Sequence, residues 1–215
     1  TQGFSDYINA NFENASVAIG YDSRNNSDLF SRTAAQVFAA NGIKVWLYPE
    51  LAPTPMLSFA VRYYHCAGGV VVTASHNPAE YNGYKAYGPD GCQLSGEASA
   101  LVTEAVEKVD LFTGIKSVDF DAALADGRIE YIGSDDYESY YENVMAQLID
   151  RDVIRSADLK VIYTPIHGTG NKPVREVLRR VGVAGVTVVK EQEQPDGNFP
   201  TCPYPNPEIR QAMQK

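Results

Sequence analysis

The chain is poor in cysteine, and this excludes several classes of protein. Its 215 residues include three cysteines, Cys66, Cys92 and Cys202, which lie far apart and form no CxxC pair. That number and spacing give no sign of a disulfide framework or of a zinc site, and they favour a reducing compartment. We therefore expect a cytoplasmic protein whose cysteines are free thiols.

Long apolar runs and an excess of basic residues are also missing. The longest apolar runs, such as residues 68–73, are far shorter than the roughly 20 residues that cross a bilayer. We therefore expect no contact with a membrane. The formal net charge is −9, which argues against a general nucleic-acid binder because such a protein needs clustered lysine and arginine.

The residues that are present predict a layered α/β domain. Hydrophobic residues make up 44% of the chain, which is enough for a buried core. One helix is predicted to begin at Ser27 or Asp28 and to end at Asn41, and another is predicted to begin at Thr54. These helices alternate with apolar runs that predict buried strands, which implies an α/β architecture. The predicted strands are residues 17–21, 43–48 and 68–73.

The next predicted elements are an antiparallel hairpin and, later in the chain, a second α/β series. Residues 84–87 and 92–94 flank the turn sequence GPDG and predict a hairpin. Helices are predicted at residues 96–109 and 135–149, and a polar stretch follows them. A second strand–helix–strand series is predicted at residues 159–189. We expect the acidic run at residues 191–196 to be a solvated loop. We predict a layered α/β/α domain with a mixed sheet over residues 1–150, and the start of a second similar α/β domain over residues 151–215.

The segment Thr73–Pro78, with the sequence TASHNP, follows the third predicted strand. Ligands of open α/β sheets bind beyond the carboxyl ends of the strands. Pro78 disfavours a helical conformation at the residue before it, so Ser75 is expected on a shaped loop. A serine hydroxyl becomes a useful nucleophile when a base or an electrophilic phosphorus is close to it.

The neighbours of Ser75 suit phosphate chemistry. His76 could donate to a phosphate oxygen, and Asn77 offers a side-chain amide. Lys85, ten residues after Ser75, could meet phosphate charge or transfer a proton if its pKa is lowered. The alternative is a polar turn with a purely structural role.

Several motifs together resemble the α-D-phosphohexomutase superfamily, in its phosphoglucomutase branch. TASHNP followed by EYNGYK is the most specific of them, and the likeness covers almost the whole chain. The other matching segments are Gly20–Arg24 (GYDSR), Pro53–Pro55 (PTP), Thr164–Lys172 (TPIHGTGNK) and Phe199–Glu208 (FPTCPYPNPE).

This resemblance implies a function for each candidate residue. Ser75 matches the family's phosphoserine, which passes its phosphate to a hexose phosphate and forms a bisphosphate, glucose 1,6-bisphosphate for a glucose substrate. Lys85 matches a candidate acid/base and His76 the histidine of the same loop. Arg24 and Asn77 are the candidate phosphate-binding residues. The resemblance also implies a bound Mg²⁺, for which the phosphate carried by Ser75 is one ligand.

Some parts of the family pattern are not found in these 215 residues. They are the opening Gly-Thr stretch, the aspartate-rich metal loop expected after a segment such as Pro205–Glu208, and the third and fourth domains. We expect the complete enzyme to need those C-terminal domains and this chain to be inactive alone. The alternative is a non-catalytic, sugar-phosphate-binding or regulatory fragment of the same fold.

Two further interpretations concern the histidines. A serine hydrolase is disfavoured because Ser75 has no glycine at either position of the G-x-S-x-G motif, and neither His65 nor His167 has an obvious acid partner. The segment His167–Lys172 places glycines before a predicted helix. Those glycines predict either an anion site at the helix N-terminus or a structural tight turn.

Overall fold

The computed structural model describes residues 1–202 and 204–214, which form two compact units. Unit 1 comprises residues 1–21, 26–73 and 83–132, and unit 2 comprises residues 22–25, 74–82 and the chain from residue 133 onward. Two short segments of the early chain therefore belong to unit 2. The predicted domain boundary after residue 150 stays a prediction.

Unit 1 is built on a mixed sheet, as predicted, and the sheet has five strands, of which β5 was not predicted. The strand order is β4-β3-β1-β2-β5, in which β4 is antiparallel to β3 and the other neighbours are parallel. Its elements are α1 (Gln2–Asn11), β1 (Ser16–Tyr21), α2 (Ser27–Ala40), β2 (Lys44–Leu47), α3 (Thr54–Tyr63), β3 (Gly68–Val72), β4 (Tyr84–Tyr87), α4 (Gly96–Glu107), α5 (Phe120–Ala125) and β5 (Ile129–Tyr131).

The core of unit 1 lies around the central strands. All five residues of β3 are buried, as expected for a strand covered on both faces. Val17 and Ile19 of β1 join the same cluster as Phe38 of α2. The predicted hairpin is present in a reduced form, because residues 92–94 contribute one bridge, between Tyr87 and Gln93, instead of a strand.

Unit 2 contains the second α/β series. Its elements are α6 (Ser134–Ala146), α7 (Arg151–Ser156), β6 (Lys160–Tyr163), α8 (Asn171–Val181), β7 (Gly185–Val188), α9 (Lys190–Glu193) and α10 (Arg210–Met213). β6 and β7 pair in parallel. The polar stretch predicted as a boundary folds into α7, because the Asp150 side chain accepts a hydrogen bond from the Val153 amide at 3.0 Å and caps the helix.

The structure also bears on the expectations about cysteines and membranes. Cys66, Cys92 and Cys202 form no disulfide bond in the structure. Burial raises the pKa of the Cys66 thiol to about 11, so it is protonated at neutral pH. Among the described residues, no helix has both the length and the apolar character needed to span a bilayer.

An ion-pair group on α8 makes the stability of unit 2 depend on pH. Glu176 accepts hydrogen bonds from Arg179 and Arg180, which lower the pKa of Glu176 to about 2. A carboxylate whose pKa is depressed on folding stabilises the folded state above its unfolded pKa, and this contribution is lost as the pH falls towards the folded pKa. The contribution is modest, since these side chains reach solvent.

We therefore expect Glu176→Gln to destabilise the chain at about pH 6, with a difference that shrinks as the pH falls to about 3. Urea unfolding at several pH values measures it, with Glu142→Gln, at an exposed position of α6, as the matched control. Added salt should reduce the difference as well. A difference that grows towards low pH would contradict the role given to Glu176.

Candidate functional site

The candidate site is formed by two segments that follow neighbouring strands. β1 and β3 run in parallel side by side, with Tyr21 opposite Val72. The chain therefore leaves both strands at the same edge of the sheet, where α/β proteins bind their ligands. Directly afterwards come residues 22–25 and the segment Ala74–Asn82, here called the serine loop, and both belong to unit 2.

Ser75 lies at an exposed position in a tight turn of the serine loop. The Asn77 amide donates to the Ala74 carbonyl at 3.1 Å and closes the turn. Ser75 has a φ of 56°, in the left-handed region that non-glycine residues rarely adopt. A residue in such a conformation costs on the order of 1–3 kcal/mol and persists where its surroundings enforce it.

Arg24 provides those surroundings. Its guanidinium donates from Nη1 to the carbonyl oxygens of Pro78, at 2.8 Å, and Tyr81, at 2.9 Å. From Nη2 it donates to the carbonyl oxygens of Ser75, at 3.1 Å, and Asn77. The Arg24 side chain is only 1% exposed. A buried cation therefore holds four carbonyl groups of the serine loop.

The charge of Arg24 is balanced by acidic neighbours. Its amide donates to Asp22 Oδ1 at 2.9 Å, and its Nε lies 3.4 Å from Asp22 Oδ2. Burial lowers the pKa of Arg24, whereas Asp22 and Glu80 raise it, with burial as the larger effect. An arginine stays protonated at any physiological pH, so the four carbonyl groups face a permanent cation.

A second segment of unit 2 packs against Arg24. The Arg24 Cζ lies 5.2 Å from the centre of the Phe199 ring, within the range of a cation–π contact. Phe199 also joins an apolar cluster with Ile166, Cys202, Ala212 and, from the serine loop, Ala79. Gly197 allows this packing, because a β-carbon there would lie 2.5 Å from the Asn25 amide nitrogen.

His167 serves this same region as a structural residue. Its Nδ1 lies 2.9 Å from the Gln194 carbonyl oxygen, which can only accept, so Nδ1 carries the hydrogen. In the neutral ring Nε2 then accepts from the Thr201 hydroxyl, also at 2.9 Å. Thr201 Oγ1 accepts in turn from Gln192 Nε2 at 3.1 Å. His167 is thus engaged by a carbonyl and a hydroxyl, in place of the carboxylate that a hydrolase triad requires.

The remaining predicted site residues lie on both units. His76 and Asn77 are exposed in the serine loop beside Ser75. Lys85 is half-buried in β4 of unit 1, where it pairs with Val71 of β3. Arg24 contacts Ser75 and Asn77, and it does so by donating hydrogen bonds to their backbone carbonyl oxygens. The assignment of Arg24 and Asn77 to phosphate binding stays a prediction.

Sequence reasoning missed two residues that support the site, Phe199 and Gln192. Gln192 is 1% exposed although it lies in the acidic run predicted to be a solvated loop, so that prediction was wrong at this position. Its amide side chain joins Thr164, Thr201 and the carbonyl of Ala212. An uncharged glutamine among glutamates was the one available signal, and it is a weak one.

A divalent metal ion needs several ligands that converge on one point. Mg²⁺ prefers oxygen ligands in near-octahedral geometry. Among the described residues, no three histidine, cysteine, aspartate or glutamate side chains come together as a ligand set. The contribution of Ser75 to a magnesium site stays a prediction.

The mixed sheet of unit 1 and the second α/β series of unit 2 place the chain in the class of layered α/β proteins. Comparison with known families gives the same result. Residues 1–112 match α/β/α domain I of the phosphoglucomutase/phosphomannomutase family, and residues 138–215 match its α/β/α domain II. The chain belongs to the phosphoglucomutase/phosphomannomutase family.

Individual relatives extend beyond this chain. A phosphoglucomutase of Staphylococcus saprophyticus is 39% identical over 98% of the chain, which spans 38% of that relative. A protein of Haemophilus influenzae named "Probable phosphomannomutase" is 34% identical, and the chain spans 42% of it. A Thermus thermophilus structure, described as a "putative phosphomannomutase", matches with a TM-score of 0.81 at 28% identity, covering 99% of this chain and 44% of that one.

Proposed function

We propose that this chain is the phosphoserine-bearing part of a phosphohexomutase that interconverts hexose 1-phosphate and hexose 6-phosphate, with glucose as the sugar. The observation that carries the proposal is the geometry of Ser75. It is exposed, left-handed at a φ of 56°, and lies on a loop whose carbonyl groups are held by a buried guanidinium. Such a fixed hydroxyl suits a reaction that depends on positioning.

The proposed chemistry transfers one phosphoryl group in each direction. The bond between phosphorus and Ser75 Oγ breaks while a sugar hydroxyl oxygen bonds to the phosphorus. The sugar hydroxyl gives its proton to a base, and the released Ser75 Oγ takes up a proton. The sugar bisphosphate then turns over. Ser75 Oγ gives up that proton as it attacks the other phosphorus, and the sugar oxygen that is released takes up a proton. Each pair of transfers restores the phosphoserine.

The other residues have supporting roles in this proposal. Lys85, in unit 1, is the candidate that takes the proton as a neutral amine and returns it as an ammonium. His76 and Asn77 flank Ser75 on the exposed turn, so both can donate hydrogen bonds to phosphate oxygens. These two side chains offer donors to a developing negative charge.

The proposal includes partners beyond the described residues. The curated relatives are more than twice as long as this chain, since it spans 38% and 42% of two of them. We propose that the whole protein carries further domains, which supply the other magnesium ligands and bind the sugar and its second phosphate. Mg²⁺, when bound, would neutralise phosphoryl charge. Glucose 1,6-bisphosphate is the proposed activating intermediate.

The experiment compares the 215-residue chain with a longer protein that also carries the further domains. We expect the longer protein to convert glucose 1-phosphate to glucose 6-phosphate in a dehydrogenase-coupled assay with Mg²⁺ and glucose 1,6-bisphosphate. We expect the shorter chain to show no turnover, because it lacks most of the groups that would stabilise the transferred charge.

Three results would count against the proposal. Turnover by the shorter chain would show that no further domain is needed. A longer protein that binds hexose phosphate without turnover would favour a binding or regulatory role. Turnover of mannose 1-phosphate at a much higher kcat/KM than glucose 1-phosphate would overturn the choice of sugar.

A further inference from the structure

The four terminal hydrogen-bond donors of Arg24 are all used inside the protein. A guanidinium has five N–H donors, of which four are on Nη1 and Nη2. Those four meet the carbonyl oxygens of Pro78, Tyr81, Ser75 and Asn77. The fifth, on Nε, is buried 3.4 Å from Asp22 Oδ2 and makes no hydrogen bond to a described residue. The terminal nitrogens of Arg24 therefore cannot donate to a phosphate unless one of them releases a carbonyl of the serine loop.

Two turns of the serine loop are closed by backbone hydrogen bonds. One runs from the Asn77 amide to the Ala74 carbonyl and the other from the Tyr81 amide to the Pro78 carbonyl. Each closes a single turn, and Pro78 has no amide hydrogen to add. The guanidinium joins these two turns, because it holds carbonyl groups from both of them. The residues whose carbonyl groups it holds lie 51 to 57 positions after Arg24 in the sequence.

We propose that Arg24 is a positioning residue, which holds Ser75 in its left-handed conformation by drawing the carbonyl groups of the serine loop onto one buried cation. The Phe199 ring packs against the guanidinium, with its centre 5.2 Å from Arg24 Cζ. The proposal rests on the function given to Ser75 above. Under this proposal Arg24 determines the conformation of the serine loop and does not bind the phosphate.

The chemistry of the side chain explains why arginine is needed here. A lysine ammonium has three hydrogens on one nitrogen and cannot direct donors to four carbonyls spread around a planar fork. Glutamine offers two donors and no charge. Arg24→Lys should therefore keep the charge but lose the shape of the loop, and Arg24→Gln should lose both.

Hydrogen–deuterium exchange of the 215-residue chain tests the proposal directly. We expect amides of residues 74–82 to exchange about 10- to 100-fold faster in Arg24→Lys and Arg24→Gln, because hydrogen bonds to charged groups contribute about 1.5–3 kcal/mol. Exchange in β6 and α8 should stay unchanged. The matched control is Arg151→Lys, in which the lost guanidinium donates to one backbone carbonyl, that of Met145 at 2.6 Å.

Unchanged exchange at residues 74–82 in both Arg24 variants would overturn the proposal. If a variant loses protection throughout unit 2, Phe199→Leu provides the second test, since it removes the ring and keeps all four carbonyl contacts. It should speed exchange in the same loop, by less than the arginine variants. Unchanged loop exchange in Phe199→Leu, beside global loss in the others, would also overturn the proposal.

Kinetics of the longer protein separate positioning from phosphate binding. For Arg24→Lys we expect kcat to fall about 100-fold with KM within about twofold, because a displaced nucleophile impairs transfer more than binding. A raised KM with unchanged kcat would identify a phosphate ligand and overturn the proposal. Faster loop exchange in a longer protein that has no mutase activity would contradict the proposed function alone.

Discussion

Ser75→Ala is expected to reduce hexose phosphate turnover by the longer protein by about 10⁴-fold or more, because it removes the atom that carries the phosphoryl group. Alanine keeps the β-carbon of serine, so the cost of a φ of 56° is nearly the same in both. Folding and loop shape should therefore be retained. The loss can then be assigned to the hydroxyl, as measured by kcat in the coupled assay.

Intact mass provides the companion measurement. After incubation with glucose 1,6-bisphosphate, the longer protein should gain one phosphate, and Ser75→Ala should gain none. Ser95→Ala is the matched control, since Ser95 is exposed and its hydroxyl makes no capping bond at the start of α4. Full turnover in Ser75→Ala, or a phosphate that stays on the variant, would exclude Ser75 as the carrier.

The elements that could be predicted from the sequence are those with local signals. β3 was predicted from an uninterrupted apolar run, and it is buried throughout. α2 was predicted from its apolar spacing, its capping residues and Asn41-Gly42, and it ends at Ala40. Proline and glycine marked the serine loop and the turn before residue 92. Each of these signals acts within a few residues, which is why a single sequence is sufficient.

The contacts of Arg24 could not be predicted in the same way. Its partners are carbonyl groups, which every residue has, so no residue type signals them. They also lie 51 to 57 residues away and meet Arg24 because β1 and β3 are parallel neighbours. The family resemblance implied a phosphate-binding role for Arg24, but the atoms that Arg24 contacts depend on tertiary structure.

Gln192 shows the same limit for burial. Its immediate neighbours, Glu191 and Glu193, are charged, so the local pattern favours solvent. Yet His167, Thr164 and Thr201 surround it with matching donors and acceptors. A polar residue is buried where partners are available, and those partners come from separate segments.

Gln192→Leu is expected to destabilise unit 2 by about 2–5 kcal/mol, although leucine is similar in size and carries no charge. The variant leaves the Thr164 hydroxyl without its acceptor at 2.7 Å and the Ala212 carbonyl without its donor at 3.0 Å. Thr201 Oγ1 loses its donor as well. Leaving buried polar groups without hydrogen-bond partners lowers the free energy of unfolding by more than the apolar packing of leucine raises it.

Hydrogen–deuterium exchange of individual peptides, followed at increasing urea concentrations, measures this destabilisation separately for unit 2. Gln147→Leu is the matched control, because Gln147 is exposed and its side chain bonds only the Asn143 carbonyl in the described part of the chain. Thr201 lies two residues after Phe199, so loss of its partner should loosen the packing of Phe199 against Arg24 and speed exchange at residues 74–82. If Gln192→Leu left unit 2 as stable as the control, the buried amide would be dispensable. The serine loop would then depend on Arg24 and the apolar packing of Phe199 alone.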